Sequence, residues 1–284
     1  MTRVLVTLLI AAAIAQPLKA QDPPSGHWAS EDWMGEVTFA SANALVAGLS
    51  AGLLQVIRKG SFKHGFATGA LGGAVVYTGR RVAVEDFWGA GLMGRQISAV
   101  GSSFTRNAGD GKPVLSRIWL PLGPMLLRVD YGDRVSVRPV IDLYALAWLT
   151  AAGFDERLEL DGRASISSGA PVFQAHQHRL RHDGRPLNGA SVAGLILLDR
   201  AVSADDDGET LGHERAHVLQ YDFAQLVFND PAEEYLLGWF ALGKSLGSVA
   251  RVGVIGPAVS DGVDWTVPSI RDFWESEADF LGRR

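Results

Sequence analysis

From Val37 to Ile57 the chain carries no charged residue, and from Gly65 to Gly79 it again carries none. A helix that is uncharged all round is a buried one, packed into protein or into lipid. Gly48 and Gly52 are four apart, as are Gly65, Gly69 and Gly73. On helices that spacing lines small residues along one face, so two backbones can approach closely. The basic linker Arg58–His64 between the stretches predicts a helical hairpin. The first stretch is long enough to cross a bilayer and the second is short for a span. Basic pairs follow both (Arg58-Lys59 and Arg80-Arg81), so charge bias gives no consistent orientation. The preferred reading is a tightly packed hairpin, soluble or surface-associated, with residues 37–79 as the segment that could associate with a membrane. A third apolar helix is expected around Glu85–Val100.

Upstream, Arg3 precedes an apolar run from Val4 to Ala15, short for a span. Small-residue sites follow at Ala13-Ile14-Ala15 and Leu18-Lys19-Ala20. This reads as a signal peptide over 1–20, with a mature chain from Gln21 and export to the periplasm or outside the cell. A retained N-terminal anchor is the alternative. The chain has no cysteine, so disulfide frameworks and thiolate metal sites are excluded. A net charge of -5 argues against a nucleic-acid partner, which needs a basic surface.

The middle of the chain looks β-rich. Met125–Tyr131 and Arg134–Val137 flank Gly132-Asp133, and Glu156–Leu160 and Arg163–Ser167 flank Asp161-Gly162. Both predict hairpins. Pro139 is expected to limit the second strand. Ile141–Ala152 fits helix or strand, and Ser191–Leu198 reads as one buried or edge strand. From Thr210 the pattern is helical. Asp230-Pro231 marks a helix start, an apolar helix continues over Glu233–Gly243, and Pro268 opens a last helix toward Leu281. Helices, then strands, then helices predict an α+β fold. Three regions are expected: the signal peptide, a Gly-rich helical region over 21–110, and a β-rich domain ending in helices over 111–284.

Residues 211–222 read Leu-Gly-His-Glu-Arg-Ala-His-Val-Leu-Gln-Tyr-Asp. His213-Glu214-x-x-His217 places two imidazoles on one helical face, where both can reach one Zn²⁺. Glu214 then lies beside the open metal position, placed to take a proton from zinc-bound water and pass it to a leaving amine. Apolar Leu211, Ala216, Val218 and Leu219 imply that this helix is buried.

A third protein ligand is required. The metzincin pattern needs Gly and His where this chain has Gln220 and Phe223, which excludes that class. Glu233 and Glu234 lie near the position of the downstream Glu in thermolysin-like enzymes, although acidic residues also suit a helix N-terminus. The C-terminal segment Glu275-Ser276-Glu277-Ala278-Asp279 offers E-x-x-A-D. Its Glu275 and Asp279 share a helical face, so one carboxylate can ligate zinc while the other orients a ligand histidine.

His-Glu-x-x-His followed by a helical Glu-x-x-Ala-Asp resembles the gluzincin metallopeptidases, the family of the CAAX prenyl proteases, the HtpX membrane peptidases and the BepA-like periplasmic proteins. The resemblance covers two short motifs. It implies that Glu275 is the third ligand and that Asp279 is the carboxylate behind a ligand histidine. The strong transmembrane helices of the CAAX and HtpX members have no counterpart here, so only the metal chemistry carries over. In zincins generally, a strand near Ser191–Leu198 lines the cleft and pairs with extended substrate.

His176, His178 and His182 form a second cluster, but Arg179, Arg181 and Arg185 among them would repel a divalent cation. Tyr221, Tyr235 and Arg271 are candidates to stabilise an oxyanion. The resulting expectation is an exported zinc peptidase acting on polypeptides. The competing readings are a zincin-like scaffold or chaperone-type factor of the cell envelope with little turnover, and a membrane-associated protein whose Gly-rich hairpin is the functional part.

Overall fold

The computed structural model describes residues 28–176, 181–182, 185–186, 188–200, 208–237, 250–252 and 268–283. The chain is mixed α+β. Helices α1 (Trp28–Ile57) and α2 (Phe62–Ala83) form the hairpin that the glycine spacing implies. A methyl group on Gly65 would lie 2.8 Å from the Ala51 carbonyl oxygen, and one on Gly69 would lie 2.6 Å from that of Ala47. Only glycine permits backbones this close. Ser61 caps α2 by accepting from the His64 amide. Helix α3 (Ala90–Gly109) begins later than expected, after Gly89 at φ 86°, and packs on the other side of α2. Among the described residues one helical segment, Trp33–Ile57, is long and apolar enough to cross a membrane.

Strands β1 (Arg117–Leu122), β2 (Met125–Tyr131) and β3 (Val135–Asp142) form an antiparallel meander. β3 runs through Pro139 to Asp142, three residues beyond the expected limit. The missing N–H is tolerated because β3 meets its other neighbour, β10 (Ala250–Arg251), only at Ile141 and Asp142. Asp142 then caps α4 (Leu143–Phe154), resolving the ambiguous apolar stretch as helix.

The expected hairpin at Asp161-Gly162 is replaced by a helix. Asp161 accepts from the Ala164 amide and starts α5 (Gly162–Ser168), which Gly169 closes at φ 65°. Asp-Gly suits both a type I′ turn and a helix N-cap, and here the cap prevails. A second sheet has the order β4 (Leu158–Leu160), β5 (Val172–Ala175), β9 (Leu195–Asp199), β8 (Gly189–Val192). Between β5 and β8 lies a two-residue ribbon, β6 (Arg181–His182) with β7 (Arg185–Pro186). The expected single strand Ser191–Leu198 is instead the β8–β9 hairpin, turned at Ala193 (φ 51°) and Gly194 (φ 78°). Alanine at positive φ is what concealed the turn.

Helix α6 (Glu209–Ala224) passes through a π-turn (Gln225–Asn229) into α7 (Asp230–Leu237). Asp230-Pro231 opens α7 as expected, but with no loop before it. The π-turn directly upstream absorbs the backbone break that Pro231 imposes. The terminal helix is α8 (Pro268–Gly282). The expected continuation over 238–243, the signal-peptide region and His178 lie outside the described residues.

Helix α6 is the hub. Val218 and Leu219 pack on Val172, Ile196 and Leu198 of the second sheet, while α4 covers the opposite sheet face through Ala145 and Ala152. Phe223 and Val227 meet Ala47 and Val76 of the hairpin, and Ala216 meets Tyr77, Ala278 and Leu281. Among the described residues, the hairpin therefore packs directly against the helix that carries His213 and His217.

Candidate metal centre

The polar edge of α6 faces α8. On α6, His213 and His217 lie one turn apart with their Nε2 atoms 2.9 Å from each other. On α8, Glu275 places Oε2 3.6 Å from His213 Nε2 and 3.4 Å from His217 Nε2. One donor atom from each of these residues falls within 4.8 Å of the other two. Asp279, one turn beyond Glu275, sets Oδ1 3.1 Å from His213 Nδ1. The two helices meet closely because α8 ends on glycine: a methyl on Gly282 would lie 3.1 Å from His213 Cβ. Aromatic contacts hold α8 in place, with Phe39 of α1 against Phe273 (ring centroids 5.7 Å apart) and Phe280 (5.1 Å).

Both imidazoles are held through Nδ1, His213 by Asp279 and His217 by Gln220 Oε1 at 2.8 Å. Neutral rings with Nδ1–H donating present two Nε2 lone pairs to one another. That arrangement is repulsive alone and favourable around a shared cation. Tetrahedral zinc at ordinary Zn–N distances sets donors roughly 3.3 Å apart. The observed 2.9 to 3.6 Å brackets that value. Two imidazoles and a carboxylate with no thiolate are a donor set suited to Zn²⁺.

The charges respond to this crowding. Burial and the neighbouring His217 lower the His213 pKa. Burial also works against protonated His217, but Glu275, Glu214 and Gln220 outweigh it and the pKa rises. Glu214 is 5 % exposed, and burial, reinforced by the charge of Glu275, pushes its pKa up to about 7 against the pull of His217. Its Oε2 atom is buried and makes no hydrogen bond among the described residues. The other side of Glu214 meets β8: a methyl on Gly189 would lie 3.0 Å from its Cγ and Oε1. Among the described residues β8 pairs only with β9, and it passes beside Glu214.

The alternative acidic pair is engaged elsewhere. Glu233 is buried and accepts from the Val252 amide, and Glu234 pairs with Arg106 at 2.5 Å. Tyr221 directs its hydroxyl to Asp142 Oδ2 at 3.4 Å, and Tyr235 is exposed. The side chains of Arg271 and His182 lie outside the described part, and His176 is exposed at the end of β5.

Four residues at the centre were not legible in the sequence as parts of a site. Gln220 donates through Nε2 to the Trp274 carbonyl and to Glu277 Oε2, both at 3.0 Å. Glu277 also accepts from Asn43 and from Arg80, each at 2.6 Å. The available signal was polarity out of place: Asn43 within a charge-free run and Glu277 between two residues of a recognised motif. Comparison with known proteins gave no match to a family model, a curated protein or a solved structure.

Proposed function

We propose that this chain is an exported zinc-dependent peptidase whose metal is held by His213, His217 and Glu275. The observation that carries this reading is the convergence of three donors from two helices, with each histidine held through its Nδ1. The two motifs that resemble the gluzincins thereby meet at one point. Bound there, zinc would supply a Lewis acid that polarises a peptide carbonyl and acidifies water.

The chain's own residues supply the rest. Glu214, with a buried free oxygen and a pKa raised to about 7, suits a group that takes a proton from water and returns it to the departing amine. Asp279 and Gln220 keep the Nε2 lone pairs directed at the metal position. Strand β8, which among the described residues pairs only with β9, is placed to pair with an extended polypeptide through backbone bonds and to carry it past Glu214 with little dependence on its side chains.

The test compares wild type and Glu214→Gln on an unfolded protein substrate. Glutamine keeps the shape but accepts no proton, and hydrolysis should fall by ~10²–10⁴-fold with zinc retained. Equal activity would remove Glu214 as the base. Zinc binding without hydrolysis in the wild type would favour the scaffold reading instead.

A further inference from the structure

We infer that Gln220, Glu277, Arg80 and Asn43 form a buried positioning relay that fixes the tautomer and ring angle of His217, so that the N-terminal hairpin is part of the metal centre. The inference rests on the metal-site reading above and concerns residues that touch neither metal nor substrate.

The surroundings of the Gln220 amide fix its direction. Its Nε2 faces two atoms that can only accept, the Trp274 carbonyl oxygen and Glu277 Oε2, each 3.0 Å away. Both amide protons are thereby used, and Oε1 is left to face His217 Nδ1 at 2.8 Å. An oxygen that only accepts requires Nδ1 to carry the proton. Nε2 is then the lone-pair nitrogen, as a metal ligand must be. The choice of tautomer at His217 is therefore made by the carboxylate of Glu277, one residue removed.

Glu277 is itself held without freedom. It is fully buried, with Oε1 accepting from Asn43 Nδ2 at 2.6 Å and Oε2 from Arg80 Nη1 at 2.6 Å. Arg80 is also fully buried and donates from the same Nη1 to Asn43 Oδ1 at 2.8 Å. Its guanidinium lies 5.2 Å from the Trp274 ring centroid and 5.9 Å from that of Phe223. Two of its nitrogens, Nε and Nη2, make no hydrogen bond among the described residues.

A buried ion pair with donors left over is a poor way to stabilise a fold, because apolar residues of equal volume do as well or better. What this pair does supply is geometry. It joins α1, α2, α6 and α8 at one point, and α8 is the helix that carries Glu275. The relay thus reaches the metal position through one donor, the His217 ring, by way of Gln220.

The experiment measures zinc affinity by chelator competition, and the ligand field of the Co²⁺-substituted protein by visible absorption. The proteins are wild type, Gln220→Ala, Glu277→Gln and the double variant. Gln220→Met, which keeps volume without an acceptor, stands in should the alanine variant not fold. Circular dichroism of the apoproteins confirms folding. The relay predicts that loss of Gln220 weakens zinc by ~10–100-fold and shifts the Co²⁺ bands. It also predicts that Glu277→Gln weakens zinc in the wild-type background but adds little once Gln220 is gone. Wild-type affinity in a folded Gln220 variant would overturn the relay. So would an equal effect of Glu277→Gln in both backgrounds, since that is the mark of a purely structural role. Wild-type protein that binds no metal would instead remove the metal-site reading itself, and the relay with it.

Discussion

Removing the Asp279 carboxylate should weaken zinc binding by a factor that its surroundings set. Asp279 Oδ1 lies 3.1 Å from His213 Nδ1, close enough to fix the ring. Yet the Asp279 side chain is 53 % exposed, whereas His213 is 22 % exposed. In Asp279→Ala, water can reach Nδ1 and replace the lost acceptor, though without holding the ring angle. Losses of residues behind a ligand histidine cost ~10–100-fold in metal affinity. The solvent access here argues for the low end, roughly tenfold, or about 1.4 kcal/mol. The buried Gln220 should fall at the high end, because bulk water reaches its place far less readily than that of Asp279. The assay is competition of the apoprotein against a chromophoric chelator at fixed pH, with circular dichroism as a check on folding. Unchanged affinity would refute an orienting role for Asp279. A loss as large as that of Glu275→Ala would show that Asp279 is itself a ligand and that the assignment of the two carboxylates is reversed.

Glu275→Ala should weaken zinc far more than Glu233→Ala or Glu234→Ala, since the latter carboxylates are committed to Val252 and Arg106. Zinc retained in the first and lost in either of the others, measured on folded proteins, would move the site to the thermolysin-like arrangement. Gly69→Ala should destabilise by ~1–3 kcal/mol in urea unfolding through overpacking, although alanine gains about 1 kcal/mol in helix propensity. The comparison is Gly153→Ala in α4, where nothing lies within 4 Å of the added methyl. That variant should be neutral or stabilised, and a stabilised Gly69→Ala would contradict the close helix contact.

The shared faces of His213 with His217 and of Glu275 with Asp279 were legible because each is a local pattern: spacing along one helix fixes which side chains lie together. The hairpin was legible for the same reason, since the four-residue glycine repeat encodes a close approach. Asp161-Gly162 was misread because one dipeptide satisfies two local structures, and the choice depends on the Ala164 amide. The β8–β9 turn was hidden by Ala193, a residue that seldom adopts positive φ. The relay was illegible for a different reason. Asn43, Arg80, Gln220 and Glu277 come from four separate helices, and no spacing rule connects them. A single polar residue in an apolar run is only half a signal until its partner across the fold is known.

The central claim is that His213, His217 and Glu275 hold one metal ion. Metal analysis of the purified protein, after loading with zinc and removal of excess, tests it directly. One zinc per chain in the wild type, and none in a folded His217→Ala variant, is the predicted result. No zinc in the wild type, or undiminished zinc in the variant, would contradict it.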